Sequence, residues 1–491
     1  MTRPNFIIFM PDQLRADAVG AFGNPLARTP NLDRFAASGT LFTQAFAQHS
    51  VCSQSRASMF TGWYPHVAGH RTLTNLIKPW EPNVFRSLKE SGYHVAWLGP
   101  RGDTFAPGAT ELSVDEYGFW VAPSVRSFGG PEEDPDELWS RLFYRGRRDE
   151  DAALDYDEAV VRSAEKWLRN PPSEPWVLFL PLLFPHCPFT VEEPWFSLID
   201  RSAMPAPAVR DPRDGGHEPR FMAAIRERYG TGRATLEHWQ ELKATYYGMV
   251  SRVDDQFGRL MRAAEDADLH DRTVSLFFTD HGEYLGDHGL IEKWPAGLND
   301  CLVREPLMIG GGGLPGGRRS GALVEMVDLV PTLLELAGVN AEYTHFGRSL
   351  VSLLTDPDRP HRTHVFSEGG FTLDEEPLLE RSPFPYDLKA ALQHEDTALV
   401  GKATAVRTHE WTYVYRLYEA DELYHRPSDP NELRNLAADP DRADQVAALR
   451  EELMRWQMAT SDVVPWEPDP RFPPVELTPV EEQAKARMIA G

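Results

Sequence analysis

Cys52 opens the run Cys52-Ser53-Gln54-Ser55-Arg56-Ala57-Ser58, which leads into Phe60-Thr61-Gly62. A cysteine in the first turn of a helix has its thiolate favoured by the helix dipole, and an arginine four residues on lies over the same face. The pair therefore predicts a spot that favours an oxyanion. An isolated Cys-x-x-x-Arg is more often a small buried hydrophobe beside a surface arginine, so its surroundings carry the weight. Two acid-plus-polar pairs supply them: Asp12-Gln13 closes the apolar run Phe6 to Met10, and Thr279-Asp280-His281-Gly282-Glu283 closes the run Val274 to Phe278. Carboxylates brought together repel unless a cation lies between them, and Asp12, Gln13, Asp280 and His281 form a hard, mostly oxygen donor set with one imidazole. A divalent metal is the economical expectation. Gly286-Asp287-His288-Gly289 and Lys293 follow the second pair. His186 stands between Pro185 and Pro188 after the run Val177 to Leu183, held as a proton donor or anion clamp must be.

These residues need a scaffold that delivers them to one edge. Short β-rich runs, Phe6 to Met10, Val95 to Leu98, Val177 to Leu183, Val274 to Phe278 and Leu307 to Ile309, alternate with helical patterns. That alternation predicts an α/β fold with a large, mostly parallel sheet covered on both faces. Leu236, Trp239, Leu242, Tyr246, Met249, Val253, Phe257, Leu260 and Ala264 recur at helical spacing behind Thr235, a candidate N-cap. A shorter helix runs from Val327 to Gly338, a candidate C-cap. The stretches near 100–150 and 196–233 read as long functional loops. After about residue 360, segments such as Thr404 to Thr408 and Trp411 to Tyr415 predict a small antiparallel unit over 361–462, behind a catalytic body over 1–360. The tail over 463–491 reads as an arm for a homo-oligomer or a wrap over the body. Trp63, Trp80, Trp97 and Trp120 are expected in the core.

Composition narrows the partners. The 42% hydrophobic and 25% charged fractions are those of a globular chain, and no window approaches the roughly 20 apolar residues of a membrane span. No signal-peptide core precedes Phe6, so a cytoplasmic location is expected. Three cysteines, Cys52, Cys187 and Cys301, imply no disulfide framework. The net charge of −24 argues against nucleic acid as partner. An anionic substrate must then find its positive charge locally.

In order and spacing these pieces resemble the formylglycine-dependent sulfatases of the alkaline phosphatase superfamily, near the choline-sulfatase and phosphonate monoester hydrolase branch. The resemblance also takes in Arg15-Ala16-Asp17, Thr29-Pro30-Asn31-Leu32-Asp33, Tyr64-Pro65-His66, Gly92-Tyr93, Asp328 to Leu334, and Glu422-Leu423-Tyr424 with Asp429-Pro430. It implies an alkaline phosphatase-like fold and hydrolysis of a small anionic ester. It further implies that a formylglycine-generating enzyme converts Cys52 to formylglycine. One hydroxyl of the hydrated aldehyde then attacks sulfur or phosphorus, and the other expels the inorganic oxyanion. By the same resemblance Asp12, Gln13, Asp280 and His281 hold the metal, with calcium the usual ion and manganese fitting the phosphonate branch. Arg56 stabilises the nucleophile's oxygens, while Lys293 and His186 neutralise the transferring group and protonate the leaving oxygen. Asn75 and His70 are expected to line the pocket.

Two departures stand out. The family's modification signal carries Pro or Ala where this chain has Gln54, which leaves an unconverted Cys52 and a non-catalytic anion or metal binder as one alternative. Where relatives carry a Gly-Lys pair, this chain reads Trp97-Leu98-Gly99-Pro100-Arg101-Gly102-Asp103, leaving Arg101 as substitute for the lysine. That absence, with Gln13 and His281, keeps a phosphodiesterase or phosphonate monoester hydrolase as the other alternative.

Overall fold

The computed structural model describes residues 3–125, 134–149, 154–173, 175–211 and 217–490. Ten strands precede residue 330: β1 (Asn5–Asp12), β2 (Thr40–Phe46), β3 (His94–Leu98), β4 (Glu116–Gly118), β5 (Tyr144–Arg147), β6 (Trp176–Pro185), β7 (Phe189–Val191), β8 (Thr273–Phe278), β9 (Arg304–Gly311) and β10 (Arg318–Glu325). Eight of them form one sheet in the order β10-β2-β9-β8-β1-β6-β3-β4. The block β8-β1-β6-β3-β4 is parallel throughout. β9 runs antiparallel to both β8 and β2, so the sheet is mixed.

The run Phe6-Ile7-Ile8-Phe9-Met10 is apolar without alternation because both faces of β1 are covered. Ile7 and Phe9 face the layer of the 31-residue helix Leu236–Asp266, where Phe257 meets Phe9 at 5.3 Å between ring centroids. Phe6, Ile8 and Met10 face the opposite layer, with Phe60, Phe85, Trp97 and Phe179. The long helix starts where Thr235 predicts, with the Thr235 N–H donating to His238 Nδ1 at 3.2 Å. Gly338 ends the helix Leu329–Ala337 at φ 66°, the left-handed conformation that glycine tolerates.

The five expected strands all form, each a little longer than its apolar run. β2 and β10 escaped the sequence pattern because Thr43 and Gln44, and Arg318 to Gly321, interrupt their apolar character toward the sheet's edge. The stretch 196–233 is not a loop throughout: Arg220–Tyr229 is a ten-residue helix that buries Phe221, Met222 and Ile225. Within the other expected loop, 126–133 and 150 lie outside the described residues, as do 212–216 here. Trp97 and Trp63 are buried, but Trp80 and Trp120 are exposed, contrary to expectation.

A second, antiparallel sheet follows, β11 (Val365–Gly369), β12 (Ala403–Arg407), β13 (Trp411–Arg416) and β14 (Glu422–His425), in that order. From Val463 the chain is exposed almost throughout and ends in the helix Val480–Ala490. Among the described residues no helix is long and apolar enough to cross a membrane.

Candidate active site

Three neighbouring parallel strands deliver the chemistry. In the register Asp12 of β1 sits beside Pro185 of β6, and Phe9 beside Phe277 of β8. The carboxyl ends of all three therefore emerge together, carrying Asp12-Gln13, His186 and Asp280-His281. β3, next to β6, ends two residues before Pro100 and so brings Arg101 and Asp103 to the same edge. Ligands of open α/β sheets bind at such an edge. Gln13 adopts φ 64°, a left-handed backbone for a non-glycine residue, the kind of local strain that accumulates at functional sites. Gly282 packs so tightly that a Cβ there would lie 2.0 Å from the Cys301 carbonyl oxygen, which fixes the loop carrying His281.

The helix Cys52–Thr61 is buried along its whole length and points its first residue at this edge. Cys52 Sγ lies 3.1 Å from His281 Nε2 and 3.7 Å from Asp12 Oδ1. One turn on, Arg56 is fully buried and spans both carboxylates: Nη2 is 2.9 Å from Asp12 Oδ2, and Nε is 2.8 Å from Asp280 Oδ2. Its Nη1 donates to Asp103 at 2.8 Å. Arg101 also pairs with Asp12 and reaches Asp103 at 3.1 Å. Burial opposes ionisation of Asp12, yet the charges of Arg101, His186 and Arg56 outweigh it and hold its pKa well below the usual range.

The helix-dipole argument fails for the thiol itself. Burial, followed by the Asp12 charge, pushes the Cys52 thiol well above its ordinary value despite Lys293 and Arg56.

The donor set fits a divalent ion. Arg56 takes the outer Oδ2 atoms of Asp12 and Asp280, leaving each Oδ1 turned toward His281. Ligand atoms of Asp12, Cys52, Asp280 and His281 all lie within 4.8 Å of one another, the span of two ligands at about 2.4 Å on opposite sides of a calcium-sized ion. His281 Nδ1 donates to the Gly282 carbonyl at 2.9 Å, which leaves Nε2 as the lone-pair nitrogen, as a metal ligand requires. Gln13 Oε1 is held by Lys293 Nζ at 2.6 Å, and its amide nitrogen donates to Glu283.

Lys293 and His186 form the next layer. Lys293 Nζ stands 2.9 Å from His186 Nε2 and 2.7 Å from Glu292. Burial disfavours the Lys293 ammonium, but Cys52, Glu292 and Asp12 more than restore it and raise its pKa. His186 goes the other way, down to about 4, through burial and then the Lys293 charge. Its Nδ1 donates to the Cys187 carbonyl at 2.6 Å, so Nε2 accepts from Lys293. The His186 loop is braced from below. Asp157 accepts the Leu183 and Phe184 N–H groups at 2.7 and 2.8 Å, and the guanidinium groups of Arg252 and Arg148 lie 4.9 and 5.0 Å from the Phe184 ring centroid.

The structure thus gathers Asp12, Gln13, Cys52, Arg56, Arg101, His186, Asp280, His281 and Lys293 in one cluster. It does not bring His70 and Asn75 there. His70 is buried with Nδ1 2.7 Å from the Asn75 carbonyl and Nε2 3.2 Å from Glu81, Asn75 is exposed, and neither lines the cavity above Cys52. Asp103 and Glu283 end the runs that signal Arg101 and Asp280, yet the sequence pattern assigned neither a role of its own, and the structure shows them bonded to Arg56 and Gln13. Glu292 is bridged by Lys293 and by Lys389, which lies almost a hundred residues on, and no local spacing foretells that pair.

The Sulfatase family model matches residues 4–339. The multifunctional alkaline phosphatase superfamily protein PehA of Trinickia caryophylli is 28% identical over 94% of this chain and 96% of its own. The choline-sulfatase of Rhizobium meliloti is 26% identical over 94% and 88%. The crystal structure of a phosphonate monoester hydrolase of Agrobacterium radiobacter has the same fold, with a TM-score of 0.73 at 22% identity over 93% of this chain and 96% of that one.

Two outcomes test the electrostatics. Replacing Arg56 by Ala leaves Asp12 and Asp280 buried without their shared counter-charge, and should cost about 3–5 kcal/mol in urea unfolding of metal-free protein. Added divalent metal should restore part of that loss. The second concerns pH. His186 and His49 are depressed to about 4 and about 3, both by burial first, with Lys293 adding for one and His281 and Arg71 for the other. Below their unfolded value of 6.5 the unfolded chain binds more protons. Stability from this source is complete above that pH and declines as pH falls toward about 4. Melting temperatures of metal-free protein should fall across that window, and His49→Asn should flatten the slope.

Proposed function

Because this chain belongs to the sulfatase family, we propose that it is a metal-dependent hydrolase of sulfate esters whose nucleophile derives from Cys52. One observation carries the reading: Cys52 Sγ, His281 Nε2 and the carboxylates of Asp12 and Asp280 converge within 4.8 Å, at the head of a cavity that Lys293 and His186 also line. When both groups are present, a hydrated formylglycine supplies an oxygen nucleophile at position 52, and a divalent metal lowers that oxygen's pKa and polarises the ester. Calcium suits the carboxylate-rich donors, and manganese suits the imidazole and amide equally.

The remaining work falls to the side chains. Arg56 fixes the spacing of Asp12 and Asp280 and brings positive charge beneath the nucleophile. Lys293 offers a permanent ammonium to the negative charge that builds on the transferring group. His186, with Nδ1 committed to the Cys187 carbonyl, accepts a hydrogen bond from Lys293 at Nε2, which holds the ammonium where the leaving oxygen departs. Cys52 is 6% exposed in the folded chain, which favours maturation by a formylglycine-generating enzyme before the fold closes. Gln54 is equally enclosed, with its amide donating to the Arg71 carbonyl at 3.1 Å.

Hydrolysis of phosphodiesters or phosphonate monoesters is the second reading. Gln13 beside the donor set and Arg101 in place of the family's lysine favour it. Mass spectrometry of the Cys52 peptide, from protein coexpressed with the maturation enzyme, should show loss of sulfur consistent with an aldehyde; an intact thiol there returns the chain to the non-catalytic alternative. Steady-state rates on aryl sulfates should exceed those on aryl phosphonate esters, and the reverse order moves the assignment to phosphorus.

The arm from Val463 touches the body through Trp466, whose Nε1 donates to Thr344 Oγ1 at 2.9 Å, and beyond it the exposed Phe472, Val475, Leu477 and Met488 support a homo-oligomer. Light scattering should find a multiple of 55.4 kDa, falling to the single-chain mass when residues 463–491 are removed. A single-chain mass for the full chain defeats this part.

A further inference from the structure

The cluster around Cys52 occupies one end of a cavity of about 370 Å³. The opposite wall is not made by the large sheet. It comes from the stretch between β11 and β12, chiefly Phe371, Pro383 and the helix Asp387–Glu395 with Tyr386 before it. Val51, Pro295, Phe371, Pro383, Tyr386 and Ala390 give this space mostly apolar faces.

Three of the wall's polar groups are already engaged, while Ser382 and Gln393 also line it among the apolar faces. Lys389 Nζ pairs with the Glu292 carboxylate and reaches the Lys293 carbonyl at 3.2 Å. Glu380 accepts the Leu73 backbone N–H. The Tyr386 hydroxyl lies 3.2 Å from Cys187 Sγ. A sugar ring presents hydroxyls all round its edge, and each one buried without a partner costs about 1–3 kcal/mol. A flat apolar group loses nothing of that kind, and burying it gains about 25 cal/mol for each Å² removed from water. The volume sits near the lower end of small-molecule sites, roughly 300–1,000 Å³, enough for an oxyanion and one ring.

We infer that the wall formed by residues 371–393 is the leaving-group subsite, and that it selects a compact apolar alcohol, an aryl or short alkyl group, over a carbohydrate. The inference rests on the ester-hydrolase reading above and names the substrate class for that site.

Calorimetric titration of metal-loaded Cys52→Ala protein, which cannot turn substrate over, separates the two. The probes are inorganic sulfate, 4-nitrophenyl sulfate and glucose 6-sulfate, repeated with inorganic phosphate and phenylphosphonate. The aryl compounds should bind at least about tenfold tighter than their bare oxyanions, and glucose 6-sulfate no tighter than sulfate. Ala390→Phe, which fills the space, should erase the aryl gain and leave oxyanion affinity unchanged. Leu73→Asp, at the 40% exposed rim, should weaken aryl binding severalfold without touching the core. Tighter binding of glucose 6-sulfate than of the aryl ester, or unchanged aryl affinity in both variants, overturns the subsite. Failure of sulfate and phosphate alike to bind overturns the hydrolase reading itself.

Discussion

One buried guanidinium sets the terms for this site. Arg56 has no exposure to water, and it joins Asp12, Asp280 and Asp103, which come from three different strand ends. Two carboxylates at the end of a parallel sheet repel strongly where water is excluded. Arg56 permits their approach by taking the outer oxygen of each, and so presents the inner oxygens to whatever cation enters. Cys52 lies one helical turn away on the same face. The position of Cys52 and the spacing of Asp12 and Asp280 are therefore fixed by a single helix.

The sheet supplies the precision that this arrangement needs. β8, β1 and β6 are parallel neighbours, so their carboxyl ends emerge side by side without any long loop to order. Each turn beyond a strand end is then pinned individually. Asp157 takes the two N–H groups before Pro185, the Asp280 carboxylate accepts the Gln13 and His281 N–H groups at 3.2 and 3.0 Å, and Glu283 accepts those of Leu285 and Glu292. Burial and the neighbouring Glu292 raise Glu283 to about 7, the mark of a carboxyl placed for its hydrogen bonds rather than its charge. Lys293 is the joint between layers, since one ammonium reaches Gln13, His186 and Glu292.

The convergence of these residues at one sheet edge was legible because they lie in local runs at strand ends, and strand ends show in the sequence as apolar runs stopping at polar residues. Asp12-Gln13, Cys52 to Arg56, Pro185 to Pro188 and Asp280 to Glu283 each carry their own signal. His70 and Asn75 were misplaced for the opposite reason. Nearness in sequence to the Cys52 helix said nothing about direction, and the chain turns there toward Glu81. The sign of the Cys52 pKa was misread in the same way, since a helix dipole is a local property whereas burial beside Asp12 is not.

The sequence alone thus determined the alternation of strands and helices, the family to which the motifs belong and the residues that meet at the sheet edge, because each is written in spacing within a few residues. Only the tertiary structure decided that Arg56 serves Asp12, Asp280 and Asp103 together, that Lys389 closes on Glu292, and that residues 371–393 wall the cavity. Those facts depend on segments tens to hundreds of residues apart arriving at one place. Contacts of that kind are fixed by the packing of the whole chain, and no local pattern encodes them.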